Sequence, residues 1–146
     1  MLPPNNIADA SKQSVEYIEY SPETLRLNAC EDAPINKLIF KITPTENIRI
    51  GKIDYSMLST DASVNGYVSI IVSKVNNPNI YAVSQSASQI IFEKMTNSTG
   101  SEGSEHFFDN VVLYANEPVY IFMVSNFPSP AKAIMKMTIY YNVIHI

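Results

Sequence analysis

The chain has 146 residues and a mass of 16.3 kDa, which is the size of one domain. Its apolar fraction of 46% lies in the globular range and excludes disorder of the whole chain. Ten basic and 14 acidic residues give a net charge of −4, so no basic field exists for a phosphate backbone, and we expect no direct contact with nucleic acid.

The amino-terminal residues differ from the rest of the chain. Residues 1–13 are rich in Pro and Asn and have no sustained periodicity, which predicts an extended arm. One β-sandwich domain is predicted over residues 14–146. The sequence contains no export signal and no apolar run near the roughly 18 residues of a spanning helix, so we expect a soluble cytoplasmic chain without a membrane span.

Short apolar runs, separated by Pro, Asn, Ser and Asp at intervals of about ten residues, predict β-strands. The predicted strands cover residues 14–20, 24–28, 37–43, 47–54, 67–74, 80–84, 89–94, 107–114, 119–125 and 132–144. The segment Thr96–Glu105 holds two of the four glycines and predicts an exposed loop.

Two glycines have predicted conformational roles. Ile48 and Ile50 are out of phase with Ile53, so a β-bulge near Gly51 would restore the register. The sequence Asn65-Gly66 predicts a hairpin turn that requires positive φ.

The strand pattern predicts an all-β fold, because no amphipathic helix is found beside about ten strand candidates. Unequal strand lengths and long connections favour a two-sheet antiparallel sandwich of jelly-roll or Greek-key type over a closed barrel. The residues in phase with a strand face form the predicted core: Leu38, Phe40, Ile42, Val68, Ile70, Val72, Val111, Leu113, Val119, Ile121, Met137 and Ile139.

The segment Glu102–Asp109 is where carboxylates and an imidazole gather. A divalent cation is one interpretation, but the spacing matches no calcium-loop pattern, and a solvated loop is the favoured interpretation. One cysteine and two distant histidines build neither a disulfide nor a zinc site. No metal or cofactor is therefore predicted.

Candidate catalytic groups do not form a set. The sequence contains no Gly-x-Ser-x-Gly elbow, phosphate loop or His-Glu-x-x-His helix, so no catalytic residue is assigned and the chain is predicted not to be an enzyme. His106 belongs to the acidic segment, and His145 is predicted to be a packed residue at a sheet edge. Cys30 is expected to follow a strand, and its acidic neighbours Glu31 and Asp32 favour an inert thiol.

Aromatic residues are numerous, with nine Tyr, six Phe and no Trp. Tyr17, Tyr20, Tyr140 and Tyr141 lie in predicted strands, which favours a core or interface role over a ligand platform. The triplet 97–99 matches a glycosylation acceptor, but no export signal accompanies it, and we interpret it as coincidence.

An all-β domain with a Pro-rich arm, few charges and Asn- and Ser-rich loops resembles the single jelly-roll proteins of viral shells and vertex spikes. The local likeness lies in Phe108–Tyr114, Pro118–Phe122 and Thr138–Tyr141. The resemblance implies a structural subunit of a symmetric homo-oligomer that also contacts other capsid or virion proteins, located in a virion assembled in the host cytoplasm. A carbohydrate- or ligand-binding sandwich, lectin-like or host-attaching, is the alternative.

Overall fold

A computed structural model describes residues 23–61, 65–76, 90–97, 100–107 and 111–145. These ranges contain strands and no helix, which confirms the predicted all-β class. The strands are β1 (Glu23–Asp32), β2 (Ile35–Ile42), β3 (Ile48–Ser59), β4 (Val68–Ser73), β5 (Ile90–Thr96), β6 (Ser101–His106), β7 (Val112–Leu113), β8 (Val119–Ser125) and β9 (Lys132–Val143). The predicted arm and the predicted strands at 14–20 and 80–84 lie outside the described residues.

The strands form two antiparallel sheets. The first sheet has the order β1-β9-β3-β6, and the short β7 also pairs with β3. The second sheet has the order β2-β8-β4-β5. The chain changes sheet at every step except β4 to β5 and β6 to β7, which is the path of a double-sheet jelly roll. The predicted sandwich of jelly-roll type is therefore confirmed.

Three register shifts occur among the described strand pairs, and two of them change which side chains face the core. The β3–β9 register shifts between Ile50 and Lys52, at the predicted position of Gly51, and both Ile50 and Ile53 are buried as a result. The β2–β8 register shifts between Leu38 and Phe40, which sequence analysis did not predict. The extra residue turns Leu38 away from the main core and lets Ile39 pack against it, so the prediction that Leu38 belongs to that core was wrong.

The main core fills the space between the sheets. Eight of the twelve predicted core residues are buried there: Val68, Ile70, Val72, Leu113, Val119, Ile121, Met137 and Ile139. Phe40, Ile42 and Val111 are partly buried against them. Phe127, which is 0% exposed and follows β8, is a fully buried residue of this core that the prediction missed.

A second apolar cluster lies on the opposite face of the second sheet. Ile121 and Met123 belong to the main core, so the alternation of β8 directs Phe122 and Val124 away from the first sheet. Ile71 is the third buried member. We call the whole set the outer cluster; its partly buried members are Leu38, Tyr67, Ile90 and Tyr120. The second sheet is therefore apolar on both faces, and all six residues of β4 are buried.

Two predicted strand boundaries were wrong. Thr96–Glu105 was predicted as a loop, but Ser101–His106 forms β6, because polar residues at a sheet edge can satisfy their backbone groups by pairing without being buried. The predicted strand 107–114 is reduced to Val112–Leu113 in the described part, with residues 108–110 outside it.

Gly66 has a role other than the predicted one. Its φ is not in the positive region, so the turn chemistry expected of Asn65-Gly66 is not why glycine stands there. A Cβ at this position would lie 2.9 Å from the Phe127 ring and 3.0 Å from Asn126 Oδ1, which accepts a hydrogen bond from the Tyr67 amide. Glycine lets the start of β4 approach the loop that follows β8.

Candidate assembly surface

The acidic segment is split by the strand that contains it. Successive residues of a strand point to opposite faces, so Glu102 and Glu105 lie on different sides of β6. Glu105 pairs with Lys94 of β5 at 3.0 Å, and this ion pair links the two sheets and raises the pKa of Lys94. No group of three or more metal-ligating side chains occurs among the residues that the structure describes, and Asp109 lies outside them.

Asp54 is the centre of a polar group on the outer face of the first sheet. Its carboxylate accepts a hydrogen bond from Ser104 Oγ on β6, and Lys52 Nζ lies 3.6 Å away. The hydrogen bond from Ser104, then that from Tyr140, and the Lys52 charge hold the pKa of Asp54 below its usual value. Lys52 Nζ also lies 4.4 Å from the centre of the Tyr140 ring. These groups satisfy one another's charges and hydrogen bonds.

Of the other candidate reactive residues, His106 borders this group, whereas Cys30 and His145 lie on other strands or beyond them. Cys30 was predicted to follow a strand, but it lies within β1. Its side chain is exposed. His106 ends β6 opposite Lys52. His145 is exposed beyond the end of β9, so the prediction that it is packed was wrong; the buried neighbour is Ile144. The inward and outward alternation of side chains ends with β9 at Val143. Ile144 is therefore buried and His145 exposed, the reverse of the expected order.

Among the described tyrosines, Tyr55 and Tyr141 pack against the main core, whereas Tyr114 is exposed. The Tyr55 ring meets Phe92 edge to face at 5.5 Å, across the two sheets. Burial, with the nearby charges of Glu23 and Glu46, raises the pKa of Tyr141. Tyr17 and Tyr20 lie outside the described residues.

The four sheet edges differ in how they resist pairing with another chain. An edge strand is protected by bulges, short length, Pro or charged side chains, especially Lys. The second sheet has bulges at both edges, in the β2–β8 and β4–β5 pairings, and carries Lys37, Lys41, Glu93 and Lys94 there. The β6 edge is six residues long and carries Glu102 and Glu105.

The β1 edge, meaning the side of Glu23–Asp32 that faces away from β9, lacks most of these protections. The strand is ten residues long and keeps an unbroken register with β9 from Glu23–Tyr141 to Asp32–Lys132. It contains no Pro, Gly or Lys, and the charged residues between its end residues are Arg26 and Glu31. No described strand pairs with this edge. Leu25, Leu27 and Ala29, which face the main core, remain partly buried.

An open cavity of about 260 Å³ lies between the sheets at the end where β1 begins. Its lining is mainly aliphatic and includes Leu25, Ile48, Leu113 and Val143, with Thr43 and Glu46 among its polar lining residues. The cavity holds no set of convergent polar groups that resembles a catalytic centre. Its size is sufficient for a small apolar group, since a cavity of about 150 Å³ accepts benzene.

No helix in the described part of the chain is long and apolar enough to span a membrane.

No protein-family model and no curated protein matches the sequence. Among solved structures, the chain is similar to a protein chain in the cryo-EM structure of T=1 Penaeus vannamei nodavirus, with a TM-score of 0.49 and 9% sequence identity. The match covers 85% of this chain and 58% of the nodavirus chain. It is also similar to a protein chain in the cryo-EM structure of a semi-empty VLP of giant freshwater prawn Macrobrachium rosenbergii nodavirus, with a TM-score of 0.41 and 10% sequence identity. That match covers 100% of this chain and 97% of the other chain.

Proposed function

We propose that the chain is a structural subunit of a symmetric protein assembly, and that this assembly is a viral shell or a component of the virion surface. The observation that supports this most directly is the β1 edge: a long, regular strand that no described strand pairs with on this side, beside a row of incompletely buried apolar side chains. A neighbouring chain at this edge would satisfy the backbone groups and cover the apolar row.

The character of the surface supports the same proposal. The outer face of the first sheet carries hydroxyl, amide and mutually paired charged groups such as those around Asp54. Interface cores are depleted in unpaired charge, so such a surface can be covered at a smaller desolvation cost than one of free ions. The proposed partners are further copies of this chain and other virion proteins, and the proposed location is the virion.

Sedimentation velocity of the full chain over a concentration series, with electron microscopy of the same samples, tests the proposal. We expect a reversible oligomer at low concentration and closed particles or rings at high concentration. A chain that remains monomeric throughout and forms no larger particle would refute the structural role. Deletion of residues 1–13 is the companion experiment: we expect weaker assembly and an unchanged far-ultraviolet spectrum.

The cavity between the sheets supports a second candidate function, the binding of a small apolar ligand. This function is compatible with a monomer, so the sedimentation experiment separates the two. Binding of an apolar fluorescent probe, lost when Val143→Trp fills the cavity and retained in Met95→Trp on the surface, would favour it. An enzymatic role is not proposed, because Ser104, Asp54 and Lys52 contact one another on an exposed sheet face and none of them lines the cavity between the sheets.

A further inference from the structure

We infer that the β1 edge pairs with the β1 edge of a second copy of this chain, antiparallel and about a twofold axis at Ala29. This inference rests on the proposed structural role and names the contact that would provide it. The paired edges would join the first sheets of two copies into one continuous sheet. Such an interface is self-complementary, which is what a twofold axis requires.

The alternation of β1 restricts the possible registers. Leu25, Leu27 and Ala29 face the core, whereas Arg26, Asn28, Cys30 and Asp32 face outward. A continuous sheet keeps matching faces opposite each other, so the axis must pass through a residue rather than between two residues. The candidate axes are therefore at individual positions from 26 to 30.

Charge selects among these positions. An axis at Arg26 places two guanidinium groups opposite each other, and an axis at Leu27 places Glu23 opposite Glu31 of the second copy. An axis at Asn28 or at Cys30 creates no charged pair. An axis at Ala29 places Arg26 opposite Asp32 of the second copy, and symmetry forms this pair twice. Opposite charges directly across two strands are stabilising, whereas like charges are destabilising.

Asp32 is suited to a second cationic partner. It is exposed, and its carboxylate already holds Lys132 Nζ at 2.5 Å. A carboxylate has about four lone-pair positions, so a guanidinium from another chain can be added. The end of β1 is also fixed, because Glu31 pairs with Lys37 of β2 at 2.9 Å across the two sheets.

The main competitor for this edge is residues 14–20 of the same chain, folded back as a hairpin. These residues lie outside the described part of the chain. Backbone pairing alone is open to either occupant, whereas the two Arg26–Asp32 pairs form only with a second copy. We therefore assign the edge to a second copy, and hydrogen exchange tests the competitor.

The single cysteine allows the register to be tested directly. With the axis at Ala29, Asn28 of one copy lies opposite Cys30 of the other, at the Cβ separation of about 4.5–5.5 Å typical of directly opposed residues. Two native Cys30 thiols would be diagonal neighbours at about 7–8 Å, too far for a disulfide. The variant Asn28→Cys should therefore form two disulfides per dimer under mild oxidation, whereas the native chain should form none.

Thr24→Cys is the matched control, because it adds one cysteine to the same outward face of β1. It would oppose Cys30 only if the axis lay at Leu27. We expect about tenfold more disulfide-linked dimer from Asn28→Cys than from Thr24→Cys or the native chain, measured by non-reducing electrophoresis. Equal yields, or a higher yield from Thr24→Cys, would overturn the register.

A charge exchange tests the same contact without cysteine chemistry. Arg26→Glu converts two attractive pairs into two repulsive ones and should weaken the dimer about tenfold, whereas Arg26→Glu combined with Asp32→Lys should restore it. If oligomers form but neither the disulfide nor the charge exchange behaves in this way, the β1 inference fails and the proposed function stands. A strict monomer with β1 amides protected from hydrogen exchange would assign the edge to the chain's own residues 1–22 and overturn both.

Discussion

Phe122 provides a quantitative test of the outer cluster. Its side chain is 1% exposed, although it points away from the main core, and it lies directly between Leu38 of β2 and Ile71 of β4 in the strand register. Ile71 itself is 0% exposed. Replacing Phe122 by Ala removes a buried aromatic ring from a row that is bounded on both sides, so the neighbours have little freedom to close the cavity.

The expected loss for Phe122→Ala follows from the transfer and cavity contributions. Core Phe→Ala substitutions cost about 3–5 kcal/mol, and a site that cannot collapse lies near the middle or upper part of this range, about 4 kcal/mol. The free energy of unfolding of a domain is about 5–15 kcal/mol, so this loss is a quarter or more of the total. At about 3 °C per kcal/mol for a chain of this length, Tm should fall by roughly 12 °C.

Urea denaturation provides the measurement. The chain has no Trp, so far-ultraviolet circular dichroism and tyrosine fluorescence should follow unfolding, at one protein concentration because association shifts apparent stability. Met95→Ala is the matched control: Met95 pairs with Ser69 on the same outer face but is 56% exposed, and should change stability by no more than about 0.5 kcal/mol. If Phe122→Ala loses less than about 1 kcal/mol, as a surface residue would, the outer cluster is not a second core.

Three further changes have defined outcomes. Gly66→Ala should cost about 1–3 kcal/mol in urea denaturation, because its Cβ would overlap the Phe127 ring; an unchanged midpoint would contradict this packing. Asn116→Ala should cost about 1 kcal/mol and Asn116→Gly should be tolerated, because φ is +69° at this position; equal midpoints for both variants would show that the backbone conformation differs. The pKa of Asp54 is lowered in the folded state, so its contribution to stability is complete above the ordinary carboxyl pKa and is lost as the pH falls through the lower folded value. Ser104→Ala should raise that pKa, followed by NMR titration, whereas an unmoved titration would show that Ser104 does not stabilise the carboxylate.

Alternation along the chain was sufficient to predict strands in both sheets. β8 was predicted with its observed bounds, and the bulge at Gly51 followed from the phase change between Ile50 and Ile53. β6 was missed because Ser-Glu-Gly-Ser-Glu-His has no apolar periodicity, and this strand exists because β3 offers it backbone partners. The bulge that redirects Leu38 carries no glycine to mark it, so a regular alternation was predicted there.

The β1 edge was beyond prediction for a different reason. The sequence indicates that residues 24–28 form a strand, but whether a strand is central or at an edge depends on which strands lie beside it. Among the described strands, β1 is an edge because it pairs with β9 alone, and β9 comes from the far end of the described chain. The inserted position of β9 between β1 and β3 is a property of the whole topology, which no local pattern encodes.

The position of β9 between β1 and β3 has a consequence for synthesis. A polypeptide still emerging from the ribosome has β1 and β3 early, but their shared neighbour is translated last among the described strands, so the first sheet remains divided until Lys132–Val143 is available. Pairings between such distant segments are slow to form. Until β9 arrives, β1 lacks the template that sets its twist and register. A chain interrupted before residue 132 therefore lacks the strand that β1 pairs with, so the first sheet cannot form its β1 edge.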